Sequence, residues 1–372
     1  MDQLLDAILA APDEVDNYLV YADWLQSRGD PRGELIALQH AAETTDAPDV
    51  RRRADELFKN QRRAFLSDEL ADAVAHARLR HGSYRQGLEL RWRRGFIERA
   101  WLGRLASAAM SDARAVLDAL LAHPSARLLR ELVLDIPIWD RWINFDQLHD
   151  ALAACATPPP LRRLQIGDFV ERTPGYRYPD RDISAVELGD LGALWPRYPQ
   201  LVEIELQGCH LDLGTIDSPA LRSFELCSST VSDANLAALR APALERLVLW
   251  LGDGEYGGGV TRRALNDLLR TAPPTLRELG IMNTDHADVV AELLARLPLA
   301  GQLRVLDLSL GTLTDTGARW LERRAFPQLE ELRVQRSYIS PAAIRTLEAA
   351  FPRVAAESQR DSAATRYVSV SE

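Results

Sequence analysis

Lysine is almost absent from this chain of 372 residues: Lys59 is the only one, which leaves arginine as 43 of the 44 basic residues. Alongside the abundant alanine this reads as a compositional bias, and it lowers the weight of any single arginine cluster. Cysteine is scarce and odd in number. Cys155, Cys209 and Cys227 stand far from any metal-ligand spacing, which excludes a disulfide scaffold and predicts reduced structural thiols. The seven histidines form no H-x-x-x-H or Cys/His pattern, so no metal site is expected. No G-x-S-x-G, Walker loop or kinase set is present. No window approaches the roughly 18 uncharged apolar residues of a membrane helix, and the opening residues carry acids where a signal peptide needs positive charge. These absences predict a cytoplasmic, non-enzymatic chain with no catalytic residue and no cofactor.

What remains is the composition of a folded protein, 47% hydrophobic and 26% charged. At this length two domains or a repeat array are expected. The net charge of −10 is uneven. Residues 1–50 hold eleven acids against two arginines, whereas residues 51–105 hold fourteen basic residues against seven acids. Such asymmetry predicts an interaction surface or pairing between neighbouring segments.

Internal repeats account for most of the chain. The pattern L-x-x-L-x-L recurs as "LRELVL" from Leu129, "LRRLQI" from Leu161, "LVEIEL" from Leu201 and "LRSFEL" from Leu221. It continues with "LERLVL" from Leu244, "LRELGI" from Leu276, "LRVLDL" from Leu303 and "LEELRV" from Leu329, with a weaker copy, "ISAVEL", at Ile183. Each copy fits one short strand whose alternate side chains, such as Leu132 and Leu134, enter a core. Helical stretches such as "VSDANLAALR", "TRRALNDLLR" and "TDTGARWLERR" lie between them, and Ser340-Pro341 reads as an N-cap followed by proline at the first helical position. One such unit cannot bury its apolar face alone, so the units must stack. Over about residues 128–350 the chain resembles the leucine-rich repeat family. The asparagine often found after the strand in that family is replaced by Cys209, Ser229, Thr284 or Ser337.

Ahead of the repeats the reading is helical. Leu4, Leu5, Ile8 and Leu9 form one apolar stripe, and Tyr18, Tyr21, Ala22 and Leu25 another. Gly29 sits where a left-handed helix cap belongs, Asp30-Pro31 makes the turn, and a third helix restarts near Gly33, with Asp23 and Arg32 expected to tie the turn together. "YLVYADWLQSRGDPRGELIALQ" (18–39) is similar to the bacterial repeat-companion domain, which implies a companion to repeats and no chemistry of its own. The later "GLELRWRRGFIERAWL" (87–102) resembles the segment that joins such modules to their repeats, expected as a first capping strand pair. The predicted order is a helical companion module at 1–45, a basic helical linker and cap at 46–127, repeats at 128–357 and a tail at 358–372. The fold class is α/β: a leucine-rich-repeat solenoid with a curved parallel sheet and helices on its convex side, preceded by a small all-α module.

Three stretches are weighed for function. "GDGEYG" (252–257) matches G-x-G-x-x-G after a strand, but the acid expected about 20 residues on is missing, so a glycine-rich loop is the better reading. The arginines of 51–104, with Trp92 and Phe96 interleaved, would serve a nucleic-acid binder; pairing with the acidic segment beside them competes with that reading. The most informative set is the outward positions of the strands: Glu131, Asp135, Glu187, Glu203, Glu205, Glu225, Glu278, Asp307 and Glu331 against Arg163, Arg246 and Arg333. With Trp250 and Met282 in one column, these predict an acidic concave face with an apolar anchor. Glu187, Glu203, Glu205, Glu225, Trp250, Met282 and Asp307 are the candidate partner-binding residues, and the expected partner is another protein with a basic surface rather than nucleic acid or membrane. An adaptor, scaffold or inhibitor would use such a face.

Overall fold

The computed structural model describes residues 2–45, 47–76, 86–106, 109–138, 142–167, 185–252, 259–323, 326–361 and 365–369. The chain divides into two compact units. One comprises residues 1–140, 150–164 and 170–173, and the other residues 141–149, 165–169 and 174–372.

The first unit opens with helices Asp2–Ala10, Val15–Gln26 and Pro31–Thr45. Gly29 ends the second helix at φ +74°, a conformation that costs a side chain with a Cβ about 1 kcal/mol or more. Asp30 N–H reaches back to the Leu25 carbonyl at 3.0 Å and closes the turn. Asp30 then caps the third helix by accepting from the Arg32 N–H at 2.9 Å, ahead of Pro31 at its first position. Of the two residues expected to tie this turn, Arg32 lies 4.0 Å from Asp30 within it, and its guanidinium also donates to the Tyr21 hydroxyl at 3.0 Å and to Ser125 Oγ at 3.2 Å. Gly33 permits the tight crossing, because a Cβ there would lie 2.5 Å from the Ala22 carbonyl oxygen.

Strands Leu88–Arg93 and Phe96–Leu102 form an antiparallel pair. Arg94 and Gly95, both at positive φ, make the two-residue turn between them. Strand Glu131–Leu134 joins Phe96–Leu102 in parallel, so the expected capping pair precedes the first repeat strand. Phe96 is buried in one cluster with Tyr18, Tyr21, Leu25 and Ile36. Burial of each such side chain is worth about 1.5–3 kcal/mol.

The second unit is built on parallel strands Glu203–Gln207, Ser223–Cys227, Arg246–Gly252, Glu278–Thr284, Val305–Asp307, Glu331–Arg333 and Val354–Ala355, each paired to the next. The motif leucines and their equivalents, including Ile204, Leu206, Phe224, Leu226, Leu279 and Ile281, are buried on the inner face. Return segments carry helices Asp233–Ala237, Arg262–Arg270, Ala287–Arg296, Asp315–Arg323 and Pro341–Ala350. Ser232, Thr261 and Ser340 cap three of them, each accepting a backbone N–H three residues on. Neighbouring returns are tied by aspartates: Asp233 accepts from Thr261 N and Oγ1, and Asp288 from Thr314 N and Oγ1.

One predicted repeat strand lies elsewhere. Val186–Asp190, within the weak copy at Ile183, pairs with Ile143–Asn144 and Cys209–Asp212 in a separate three-stranded sheet. This strand falls on the segment between the copies at Leu161 and Leu201, which are 40 residues apart. Residues 365–369 of the tail dock rather than stand free: Ser369 N–H donates to the Leu310 carbonyl at 2.8 Å and Val368 is buried.

Candidate functional site

Strand side chains alternate, so the leucine spine on one face fixes which residues share the other. Register aligns Glu203, Ser223, Arg246, Glu278, Val305 and Glu331 as a first row across the second unit. Glu205, Glu225, Val248, Gly280, Asp307 and Arg333 form the next row, and Gln207, Cys227, Trp250 and Met282 the third.

Of the predicted partner-binding residues, the structure therefore brings Glu203, Glu205, Glu225, Trp250, Met282 and Asp307 to one sheet face. Glu187 is not among them. It sits in the three-stranded sheet, where Asn144 Nδ2 donates to its carboxylate at 3.2 Å. Glu131 and Asp135 belong to the first unit, where Trp101 Nε1 donates to Asp135 at 3.1 Å and Arg91 and Arg99 approach Glu131.

Two arginines organise the charge on this face. Arg246 Nη2 lies 2.7 Å from Glu225 and its Nε 3.2 Å from Glu278. Burial alone would weaken this guanidinium as a base, but Glu225 and then Glu278 offset that and hold its pKa above the ordinary arginine value. Arg333 makes a two-point contact with Glu331 at 2.8 and 2.9 Å, and this bond chiefly raises its pKa. Gln165 donates a short hydrogen bond to Glu205. In the second row Glu205 and Glu225 are each only 8% exposed and Asp307 4%. The first row is more open: Arg246 and Glu278 expose 30% of their side chains.

Trp250 and Met282, expected as an exposed apolar anchor, are buried. Trp250 is 3% exposed and packs with Cys227, Val248, Met282 and Leu310. Apolar side chains on strands less than about 5 Å apart close over one another. Leu310 reaches this cluster from a backbone at φ +71°, a strained position for a residue with a Cβ.

The post-strand position is closed to solvent. Cys209, Ser229, Thr284 and Ser337 are all buried, and Thr284 Oγ1 accepts from the His286 N–H at 3.1 Å. Gly252, which opens the G-x-G-x-x-G stretch, is at φ +71° against Ser229; residues 253–258 lie outside the described residues. Among the described residues no group of three or more His, Cys, Asp or Glu is placed to hold a metal ion, and no helix is long and apolar enough to cross a membrane.

Part of the arginine-rich stretch pairs within the first unit. Arg93 and Arg94 clamp the Glu43 carboxylate at 2.9 and 2.8 Å. Burial opposes ionisation of Glu43, and the two arginines outweigh it to hold its pKa below the usual carboxylate range. Trp92 is half-buried against Phe58 and Phe65, and Phe96 is buried against Tyr18.

The residues that reading by motif missed are the return-segment aspartates, Asp233 and Asp288. Asp233 lies in "VSDA" and Asp288 in "HADV", while their partners Thr261 and Thr314 stand 28 and 26 residues further on, so motif spacing does not weight them.

A parallel ladder and a buried leucine spine define a leucine-rich-repeat α/β solenoid with a helical N-terminal part. No family model matches the chain, and no curated protein matches it. Solved structures do. A Bacteroides fragilis protein is similar at 21% identity and TM-score 0.58, covering 72% of this chain and 76% of that one. The leucine-rich repeat-containing protein LegL7 of Legionella pneumophila is 17% identical at TM-score 0.34, over 68% of this chain and 79% of its own. An internalin, InlF, of Listeria monocytogenes is 14% identical at TM-score 0.31, over 69% and 78%. At 21% identity the first likeness is one of fold.

Proposed function

We propose that the chain is a non-enzymatic protein-interaction module of the cytoplasm, an adaptor, scaffold or inhibitor, that presents the repeat-strand face of its second unit to a basic partner surface. The observation that carries this reading is the register itself. It sets Glu203, Glu205, Glu225, Glu278, Asp307 and Glu331 on one face, with Arg246 and Arg333 to oppose them among the strand positions aligned there. Such an excess steers a cationic partner and disfavours nucleic acid.

The partner reads the half-open first row, chiefly Glu203, Arg246 and Glu278. Trp250 and Met282 stiffen the face from beneath. The helical N-terminal module serves as companion to the repeats, with Arg93 and Arg94 engaged on Glu43.

The test is a tagged full-length chain used as bait beside Glu203→Arg, whose fold is checked by thermal unfolding. A protein retained by the wild type and lost from the variant supports the reading, with a loss of about 1 kcal/mol or more expected for reversing a half-exposed charge. Retention of the same partners overturns it. Tight, salt-sensitive binding of DNA or RNA by both proteins would assign the work to the arginine-rich stretch instead.

A further inference from the structure

The return segments of the second unit hold a cavity of about 660 Å³ that no part of the strand face uses. It exists because two neighbouring returns differ in length. The return after Ser223–Cys227 carries only the short helix Asp233–Ala237, whereas the next carries the longer helix Arg262–Arg270. The longer helix is not matched along its whole length, and a hollow remains beside it.

The floor is aliphatic. Leu236, Leu244 and Leu247 are buried at its base, and Ala264 and Leu268 form the helical wall. No aromatic ring lines it among the described residues. The volume falls within the roughly 300–1,000 Å³ of small-molecule sites and exceeds what one anchoring side chain of a partner would fill.

Charge at the rim is specific. Asp233 is occupied, since both of its oxygens accept from Thr261 at 2.7 Å. Asp267 faces two arginines, Arg263 at 3.9 Å and Arg270 at 3.8 Å. Arg240 lines the cavity, is exposed, and forms no ion pair among the described residues, not even with Asp217, its register partner. The rim therefore offers a guanidinium above an aliphatic hollow.

We propose that this cavity binds a small anionic amphiphile, an aliphatic body lodged among Leu236, Leu247 and Leu268 with a carboxylate or similar headgroup at Arg240. Burial of the chain provides the affinity, and the planar guanidinium accommodates a two-oxygen headgroup. The site shares none of the strand-face acids, so it stands or falls independently of any basic partner docked there.

The experiment is calorimetric titration of the full chain with dodecanoate, beside dodecyltrimethylammonium as the cation of matched chain length. Binding of dodecanoate with a Kd of tens of micromolar, saturating at about 1 mM, is expected, with the cation at least about tenfold weaker. Ala264→Trp should fill the hollow and abolish binding. Arg240→Glu, at an exposed position that leaves the fold intact, should weaken dodecanoate at least about tenfold and leave dodecanol unchanged. No binding by the wild type, undiminished binding by a folded Ala264→Trp, or equal binding of anion and cation would each overturn the proposal. So would a protein partner that occupies the hollow in place of the amphiphile, seen as a captured protein lost with Ala264→Trp while dodecanoate never binds.

Discussion

Asp288 accepts from both the backbone N–H and the hydroxyl of Thr314, at 2.8 and 2.7 Å, and from Gly317 N–H at 3.1 Å. One carboxylate thus holds the start of the following helix. Asp288→Ala strands three donors at a half-buried site, and a loss of about 1–3 kcal/mol is expected in urea unfolding. Asp288→Asn keeps an acceptor and should lose less. Equal losses would show that only charge matters here.

Gly252 should not tolerate a side chain. At φ +71° a Cβ would lie 2.3 Å from the Ser229 carbonyl oxygen, with backbone rather than a flexible side chain in the way. Gly252→Ala is expected to cost about 2 kcal/mol or more, combining left-handed strain with the clash. A denaturation midpoint equal to that of the wild type would remove this turn from the set of packing constraints.

Removing Arg246 leaves Glu225 buried without its 2.7 Å partner. Arg246→Met should therefore destabilise by about 3 kcal/mol, more than the double replacement with Glu225→Met, since an apolar pair avoids the stranded charge. A double-mutant cycle measures the coupling. Additive losses would mean that the two side chains do not act as a pair.

His123 gives the first unit a pH dependence. Its Nδ1 accepts from the Ser125 N–H at 3.2 Å, and burial first, then Arg32, lower its pKa below 6.5. A depressed value means the neutral form is favoured in the folded state, so its contribution is full above about 6.5 and is lost as pH falls through the folded pKa. The thermal midpoint should drop between neutral and mildly acid pH, and His123→Asn, which keeps an acceptor without a titrating ring, should flatten that part of the profile.

Two nearby glycines separate conformation from space. A Cβ on Gly29 would have nothing within 4 Å, whereas one on Gly33 would meet the Ala22 carbonyl oxygen at 2.5 Å. Gly29→Asn is expected to be near neutral, because asparagine accepts the left-handed region; Gly33→Ala should cost about 2 kcal/mol or more by forcing the helices apart. Circular dichroism melts of the full chain distinguish the two.

The leucine spine, the cap at Ser340 and the turn at Gly29 were legible because each depends on local chemistry with a fixed spacing. Glu187 was misplaced because the pattern at Ile183 copies the hydrophobic spacing of a repeat strand, and that spacing does not say which sheet a strand joins. Partner choice within the face was also out of reach. Nothing local says that Arg246 spans Glu225 and Glu278, or that Trp250 lies closed beneath its neighbours, since both follow from register between strands about 20 and 30 residues apart in sequence. The cavity had no motif at all. It arises from a mismatch between two helices, a property of neither.

The aspartate ties between returns bear on how such a chain changes over generations. Asp233 grips Thr261 and Asp288 grips Thr314, so each joint is written half in one return segment and half in a later one. A duplication or deletion that spans a complete joint-to-joint period hands each new neighbour a matching half. One that cuts between the halves leaves an orphaned acid facing an uncapped helix. Lineages should therefore gain and lose these segments in whole periods, while tolerating length drift only in the stretch between the joints.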